Sequence, residues 1–228
     1  MEPLLLRGQV LFPDGVLRPG ALSLANGRIE DVQTVAQAPD EIIAPGFIDL
    51  QVNGAFGHDI TSDPELIYHI ASALLATGVT AFLPTIVSSP LETYRKAFEV
   101  RSALELFAAS GNQARILGWH LEGPYLSPQR SGAHDPHCLR PRADPLGDGL
   151  IDPAVRLMTL APELENGPQA VADLRAHGVV VSLGHSAASY EQALAAFDAG
   201  ITWGTHLFNA MLPMHHREPG VVGALLAD

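Results

Sequence analysis

Glu122, His185 and His206 are the residues whose types and settings point most directly to chemistry. Each closes a short, mostly apolar run: Ile116-Leu117-Gly118-Trp119-His120-Leu121-Glu122, Ser182-Leu183-Gly184-His185 and Gly204-Thr205-His206. One carboxylate and two imidazoles form a donor set for a divalent transition ion such as Zn²⁺, with a fourth position left for water. Taken alone, a histidine at a strand end is more often a packed, hydrogen-bonded side chain than a ligand. Three coincident strand ends reverse that balance. The chain has 10 histidines among 228 residues, and imidazole serves both metal binding and proton transfer near neutral pH.

The three side chains meet only if the runs carrying them lie side by side. From about residue 44 onward one unit recurs: a helix stopped by glycine, an apolar run, then a polar cluster. Ser62-Asp63-Pro64-Glu65 caps a helix running to about Thr77, with Gly78 as its stop, and Val79–Thr85 follows as a strand. Ser89-Pro90-Leu91-Glu92 has capping-box spacing and opens a helix ending near Gly111. After the strand Ile116–Glu122 comes an irregular stretch to Pro153 and the strand Arg156–Ala161. Pro168 and Gly178 bracket the next helix, before the strand Val179–Gly184. Ser189 and Gln192 cap one more helix, which Gly200 closes before Ile201–His206.

Short apolar strands alternating with amphipathic helices predict βα units on a parallel sheet buried on both faces. With Gly46–Val52 there are six such strands. A doubly wound sheet and a (β/α)₈ barrel both fit that alternation. Polar residues gathered at the C-terminal end of strand after strand favour the barrel, whose units take about 31 residues each. Residues 44–228 therefore read as an incomplete (β/α)₈ barrel of about six units, ending before strand 7. Residues 1–43 read as part of a small β-sandwich, with turns at Pro13-Asp14-Gly15, Pro19-Gly20 and the hairpin signal Asn26-Gly27. Six open strands leave unpaired edges, which favour aggregation.

Composition narrows the rest. The net charge of −12 opposes a phosphate backbone, which excludes nucleic acid as the natural partner. Cys138 is the only cysteine, excluding an internal disulfide and a Cys-rich zinc site. Lys96 is the only lysine and no Gly-Lys pair occurs, so there is no P-loop. No run approaches the ~18 apolar residues of a membrane span. Met1-Glu2-Pro3 lacks the basic start of a signal peptide, so the expectation is a soluble, cytoplasmic protein away from membranes.

Several segments together resemble the N-acetylglucosamine-6-phosphate deacetylase branch of the metal-dependent amidohydrolases. They are Ala44-Pro45-Gly46-Phe47-Ile48-Asp49 through Gly54, His120-Leu121-Glu122-Gly123-Pro124, Leu160-Ala161-Pro162-Glu163, Gly184-His185-Ser186 and Thr205-His206-Leu207-Phe208-Asn209-Ala210-Met211. His215-His216-Arg217-Glu218-Pro219-Gly220 is similar to that family's phosphate-side loop. The resemblance implies that Glu122, His185 and His206 hold one divalent ion, Zn with Fe or Co as alternatives. Gln51 and Asn53 stand where many amidohydrolases carry His-x-His, so a second metal is not expected; these two amides either contact substrate or support the site. His134 matches a residue that polarises the acetamide carbonyl, and Ala133 beside it is placed with the substrate-binding residues. Asn209 and Ala210 match sugar-phosphate contacts, and Arg217 a phosphate-binding arginine.

The implied reaction is hydrolysis of the N-acetyl group of N-acetylglucosamine 6-phosphate, releasing acetate, by a protein that works as a homodimer. Its general base is an aspartate at the end of strand 8, beyond this sequence, and these 228 residues alone are therefore expected to be an N-terminal fragment with little activity. Two other readings remain: an amidohydrolase acting on a cyclic amide or nucleobase, and a non-catalytic remnant that binds metal or sugar phosphate. His58, His69, His137 and His177 are given no role.

Overall fold

The computed structural model describes residues 3–100 and 112–227. They form two compact units, Met1–Gly46 and Phe47–Asp228.

The first unit is a four-stranded sheet of β1 (Leu4–Leu11), β2 (Leu17–Ala25), β3 (Arg28–Thr34) and β4 (Ile42–Ile43), in the order β3-β2-β1-β4. Its pairs are antiparallel except β1 with β4. Asn26 and Gly27 have φ of 53° and 72°, and Ala25 pairs directly with Arg28. Two successive left-handed residues give a hairpin turn the twist of its strands, which is why this dipeptide folds here. Val10, Ala21 and Leu22 are buried, while Leu6, Leu24 and Ile43 border an apolar cavity of about 490 Å³ on the same unit. Among the described residues this unit has a single sheet.

The second unit is a parallel half-barrel. Its strands are β5 (Phe47–Val52), β8 (Val79–Val87), β10 (Trp119–Glu122), β11 (Val155–Leu160), β12 (Val180–Leu183) and β13 (Trp203–Gly204), in the spatial order β13-β12-β11-β10-β8-β5. Every pairing along that path is parallel. A two-residue strand β9 (Arg115–Ile116) adds to β8, and β6 (Gly54–Ala55) with β7 (His58–Asp59) makes a small ribbon after β5. The helices are α1 (Ile67–Leu74), α2 (Leu91–Glu99), α3 (Gly167–Ala176), α4 (Tyr190–Ala199) and α5 (Gly220–Ala227). All four residues of β10 are buried, as a strand covered on both faces requires. No described helix is long and apolar enough to cross a membrane.

Local signals behaved unevenly. Ser189 accepts from the Gln192 N–H while the Gln192 side chain accepts from Ser189, and Gly200 stops α4 at φ 113°. Gly78 likewise ends the short helical turn after α1 at φ 83°. Ser89, by contrast, does not cap α2: its hydroxyl donates to Val87 O at 2.9 Å, and Pro90 is the first flanking residue. The part of that helix expected between Val100 and Gly111 lies outside the described residues from Arg101 on. The expected single strand Ile116–Glu122 is broken at Gly118, at φ 138°, where a Cβ would stand 2.5 Å from Ala154 O. The expected strand Ile201–His206 is only β13, because it is an edge strand and the chain turns away through positive φ at His206, Phe208 and Ala210.

Candidate metal centre

Strand periodicity places His120 and Glu122 on one face of β10, opposite Trp119 and Leu121. Glu122 is 4% exposed. Its Oε1 lies 3.1 Å from His185 Nε2 and 3.2 Å from His206 Nε2, and the two Nε2 atoms are 2.8 Å apart. Of the described residues, these three form the group whose donor atoms all lie within 4.8 Å of one another.

The imidazoles are held from behind. His185 Nδ1 is 2.9 Å from Arg130 O, and His206 Nδ1 is 3.1 Å from Asn209 O. A carbonyl oxygen only accepts, so each Nδ1 carries the hydrogen and each Nε2 presents a lone pair. Two lone pairs and a carboxylate oxygen converging at these distances require positive charge between them. A divalent ion meets that need, and the donor set suits one. Burial alone would raise the Glu122 carboxyl, but the surrounding imidazoles of His134, His185 and His206 outweigh it and hold the group well below the carboxylate range. The neighbouring Glu122 carboxylate raises the His206 pKa against the opposing effect of burial.

His134 is set the other way round. Its Nδ1 accepts from the Ser88 backbone N–H at 3.1 Å and from the Ser88 hydroxyl at 2.9 Å. The hydrogen therefore sits on Nε2, which faces Glu122 Oε2 at 3.7 Å. Two tautomers surround one carboxylate: two imidazoles that turn a lone pair toward it and one that turns an N–H toward it.

Three backbone features keep these groups in place. His185 and His206 have φ of 49° and 36°, conformations that cost of order 1–3 kcal/mol in a non-glycine residue and persist where the surroundings over-determine them. Glu163 fastens the turn after His185, accepting from Ser186 Oγ at 2.7 Å and Ala187 N at 2.6 Å. Gly123, at φ 91°, leaves room for Ser88, because a Cβ there would stand 2.2 Å from the Ser88 hydroxyl.

The other expected residues divide. Asn53 Nδ2 donates to Glu122 Oε2 at 3.4 Å, whereas Gln51 is engaged through its backbone N–H with Asp49. Ala133 is exposed beside buried His134. Asn209 and Ala210 lie on the turn that holds His206, with Asn209 supplying the carbonyl. Arg217 is exposed on a loop closed by mutual backbone bonds of His215 and Glu218, at 3.3 and 3.1 Å, and its N–H donates to His215 Nδ1. No hydrogen bond or ion pair among the described residues joins it to the Glu122 cluster. The sequence reading gave no role to Ser88 or Glu163. Both are polar residues just past the end of an apolar run, and that was the available signal.

The model of the amidohydrolase family matches residues 42–227. The chain belongs to the amidohydrolase family. This amidohydrolase is 42% identical over 222 residues to N-acetylglucosamine-6-phosphate deacetylase of Bos taurus, covering 93% of the chain and 53% of that protein. It is 37% identical over 236 residues to N-acetylgalactosamine-6-phosphate deacetylase of Escherichia coli O157:H7, covering 100% of the chain and 62% of that protein. The crystal structure of N-acetylglucosamine-6-phosphate deacetylase from Thermotoga maritima superposes with a TM-score of 0.88 at 30% identity, over 99% of this chain and 60% of that one. The amidohydrolase chain thus spans about half the length of the mammalian relative it matches, at 53%.

Proposed function

We propose that Glu122, His185 and His206 hold one divalent cation, Zn²⁺ foremost with Fe²⁺ or Co²⁺ as alternatives, and that the site serves hydrolysis of the N-acetyl amide of an amino-sugar 6-phosphate. The observation that carries this reading is the convergence of two imidazole nitrogens, each backed by a backbone carbonyl, with a carboxylate oxygen. The deacetylase names of the relatives support the substrate class.

When bound, a divalent cation polarises an acyl oxygen and acidifies water. The chain's own residues do the rest. His134, with its hydrogen placed on Nε2 by Ser88, donates to the acyl oxygen as negative charge develops there. Asn53 steadies the Glu122 oxygen that does not face the imidazoles. The turn Asn209-Ala210 and the exposed guanidinium of Arg217 take the sugar phosphate, the latter as a fork matched to a phosphate dianion. Proton return to the departing amine falls to the strand-8 aspartate implied by the family resemblance, so hydrolysis is assigned to a longer chain, and cation and sugar-phosphate binding to these residues. The working protein is proposed to be a cytoplasmic homodimer.

Elemental analysis after dialysis against Zn²⁺, with calorimetry using N-acetylglucosamine 6-phosphate, tests the assignment. One equivalent of metal is expected, and Glu122→Gln lowers its affinity by about a hundredfold or more. N-acetylgalactosamine 6-phosphate and an unphosphorylated sugar separate epimer preference from phosphate dependence. Metal binding unaffected by Glu122→Gln, or tighter binding of a dihydropyrimidine than of either sugar phosphate, overturns the reading.

A further inference from the structure

Beneath the three candidate ligands lies a second set of polar side chains that the reaction does not use. Thr85, His120, Thr159, Ser182 and Thr205 are all buried, the most exposed at 6%. Interior positions of parallel barrel strands are ordinarily filled by branched apolar residues. Here hydrogen bonds run from one edge of the sheet to the other.

Every proton in this chain of bonds can be placed. His120 Nδ1 lies 3.1 Å from Leu50 O, an acceptor only, so Nδ1 carries the hydrogen and Nε2 accepts. Thr159 therefore donates to Nε2 at 2.8 Å. Having spent its hydrogen there, Thr159 accepts from Thr205 at 2.7 Å, and Thr205 in turn accepts from Ser182 at 2.6 Å. Thr85 donates to Leu83 O at 3.2 Å and takes a share of the His120 Nδ1–H at 3.3 Å. The direction is single: Ser182 to Thr205 to Thr159 to His120 to the Leu50 carbonyl.

A separate feature makes the path possible. The bond from Thr159 to Thr205 spans β11 to the end of β13 and passes Gly184, where a Cβ would lie 2.7 Å from the Thr159 methyl and 2.9 Å from Thr205 Cβ. Any side chain at Gly184 would push the two threonines apart. The candidate ligands follow the members of the chain closely in sequence: Glu122 two residues after His120, His185 three after Ser182, His206 directly after Thr205.

We propose that this hydrogen-bonded chain is the device that fixes the three strand ends relative to one another, with His120 and Thr159 as positioning residues for the cation ligands. It rests on the reading of Glu122, His185 and His206 as a cation site. A fully satisfied polar network has one low-energy arrangement, which packed apolar side chains do not impose to the same degree. A shift of one strand along its neighbour would break it at several points at once.

The test uses Co²⁺ with the whole 228-residue chain, read by its visible absorption and by competition titration. Thr159→Val keeps the volume and deletes the relay hydroxyl. It is expected to weaken Co²⁺ binding about 10- to 100-fold and to change the ligand-field bands. Thr159→Ser restores the hydroxyl and is expected to restore both. Should Thr159→Val fail to fold, Ser182→Ala removes the first donor without leaving any donor unpaired, and a several-fold weakening is expected. Bands and affinity unchanged in Thr159→Val, or in Ser182→Ala where that variant stands in, overturn the positioning role and leave the cation site intact. A chain that takes up neither Co²⁺ nor Zn²⁺ overturns the site and the positioning role together.

Discussion

In the unit Met1–Gly46 the sheet is organised from its turns, whereas in the unit Phe47–Asp228 it is organised from its interior. The first gets its register from Asn26-Gly27 and the loop around Gly15, and several of its large apolar side chains, Leu4, Ile29 and Ile42 among them, remain exposed. The second buries residues such as Phe82, Ile86, Trp119 and Leu183 completely, and threads a polar chain through the middle of that packing. Local backbone chemistry suffices to fold a hairpin. Only enclosure on both faces makes one residue's position depend on its neighbours closely enough to aim three side chains at a point.

Matched truncations give the largest test of that difference. Leu183 in β12 is fully buried and Leu22 in β2 is 7% exposed. Leu183→Ala leaves a cavity that cannot close and is expected to cost about 4 kcal/mol, while Leu22→Ala sits beside an open apolar surface and costs about 2 kcal/mol. Trp119 and Trp203 are the only tryptophans and both lie in the second unit, so urea unfolding followed by fluorescence reads its stability. Amide exchange across β1 and β2 reads the first. Equal losses at the two sites would mean that the units are packed alike.

A pair of glycines comes next. Gly123 and Gly27 both have positive φ, 91° and 72°, but a Cβ meets the Ser88 hydroxyl at 2.2 Å in the first and nothing within 4 Å in the second. Gly27→Ala is expected to cost roughly 1 kcal/mol, the backbone strain alone. Gly123→Ala adds the displacement of Ser88, for roughly 3 kcal/mol in all, and loosens His134 as well. If both variants lose the same stability, the crowding around Ser88 has no energetic consequence.

The same contrast explains what was legible in the sequence. Strand ends at Glu122 and His185 stood out because an apolar run stopping at a polar residue is a local signal, and so did the box of Ser189 and Gln192. Ser88 and Glu163 were not legible as parts of the site, because their importance arises from partners 46 and 23 residues away, His134 and Ser186. The polar chain was hidden differently: Thr85 and Thr159 read as ordinary strand formers, since a β-branched side chain suits a strand whatever its hydroxyl does. Ser89 misled because capping-box letters say nothing of the nearby Val87 carbonyl, which took its hydroxyl.

The smallest contrast concerns side chains that fasten backbone. Ser189 caps α4 within a reciprocal pair of bonds, 3.2 Å to Gln192 N and 2.9 Å from Gln192 Oε1 to its own N–H. Asp14 shapes the turn after β1 by accepting from Val16 N at 3.1 Å and pairing with Arg18, both partners largely in water. Ser189→Ala is expected to cost about 1 kcal/mol, as helix caps do. Asp14→Ala costs less, because exposed ion pairs are weak and solvent already competes for the groups. Salt separates the two mechanisms: at 1 M the screening length falls to about 3 Å, so the effect of Asp14→Ala on exchange in β1 and β2 shrinks, while the unfolding midpoint shift of Ser189→Ala stays as it was. A cap whose worth faded with salt would mean that Glu191, whose carboxylate accepts from the Ser189 hydroxyl at 2.9 Å, and not the neutral box, secures the start of α4.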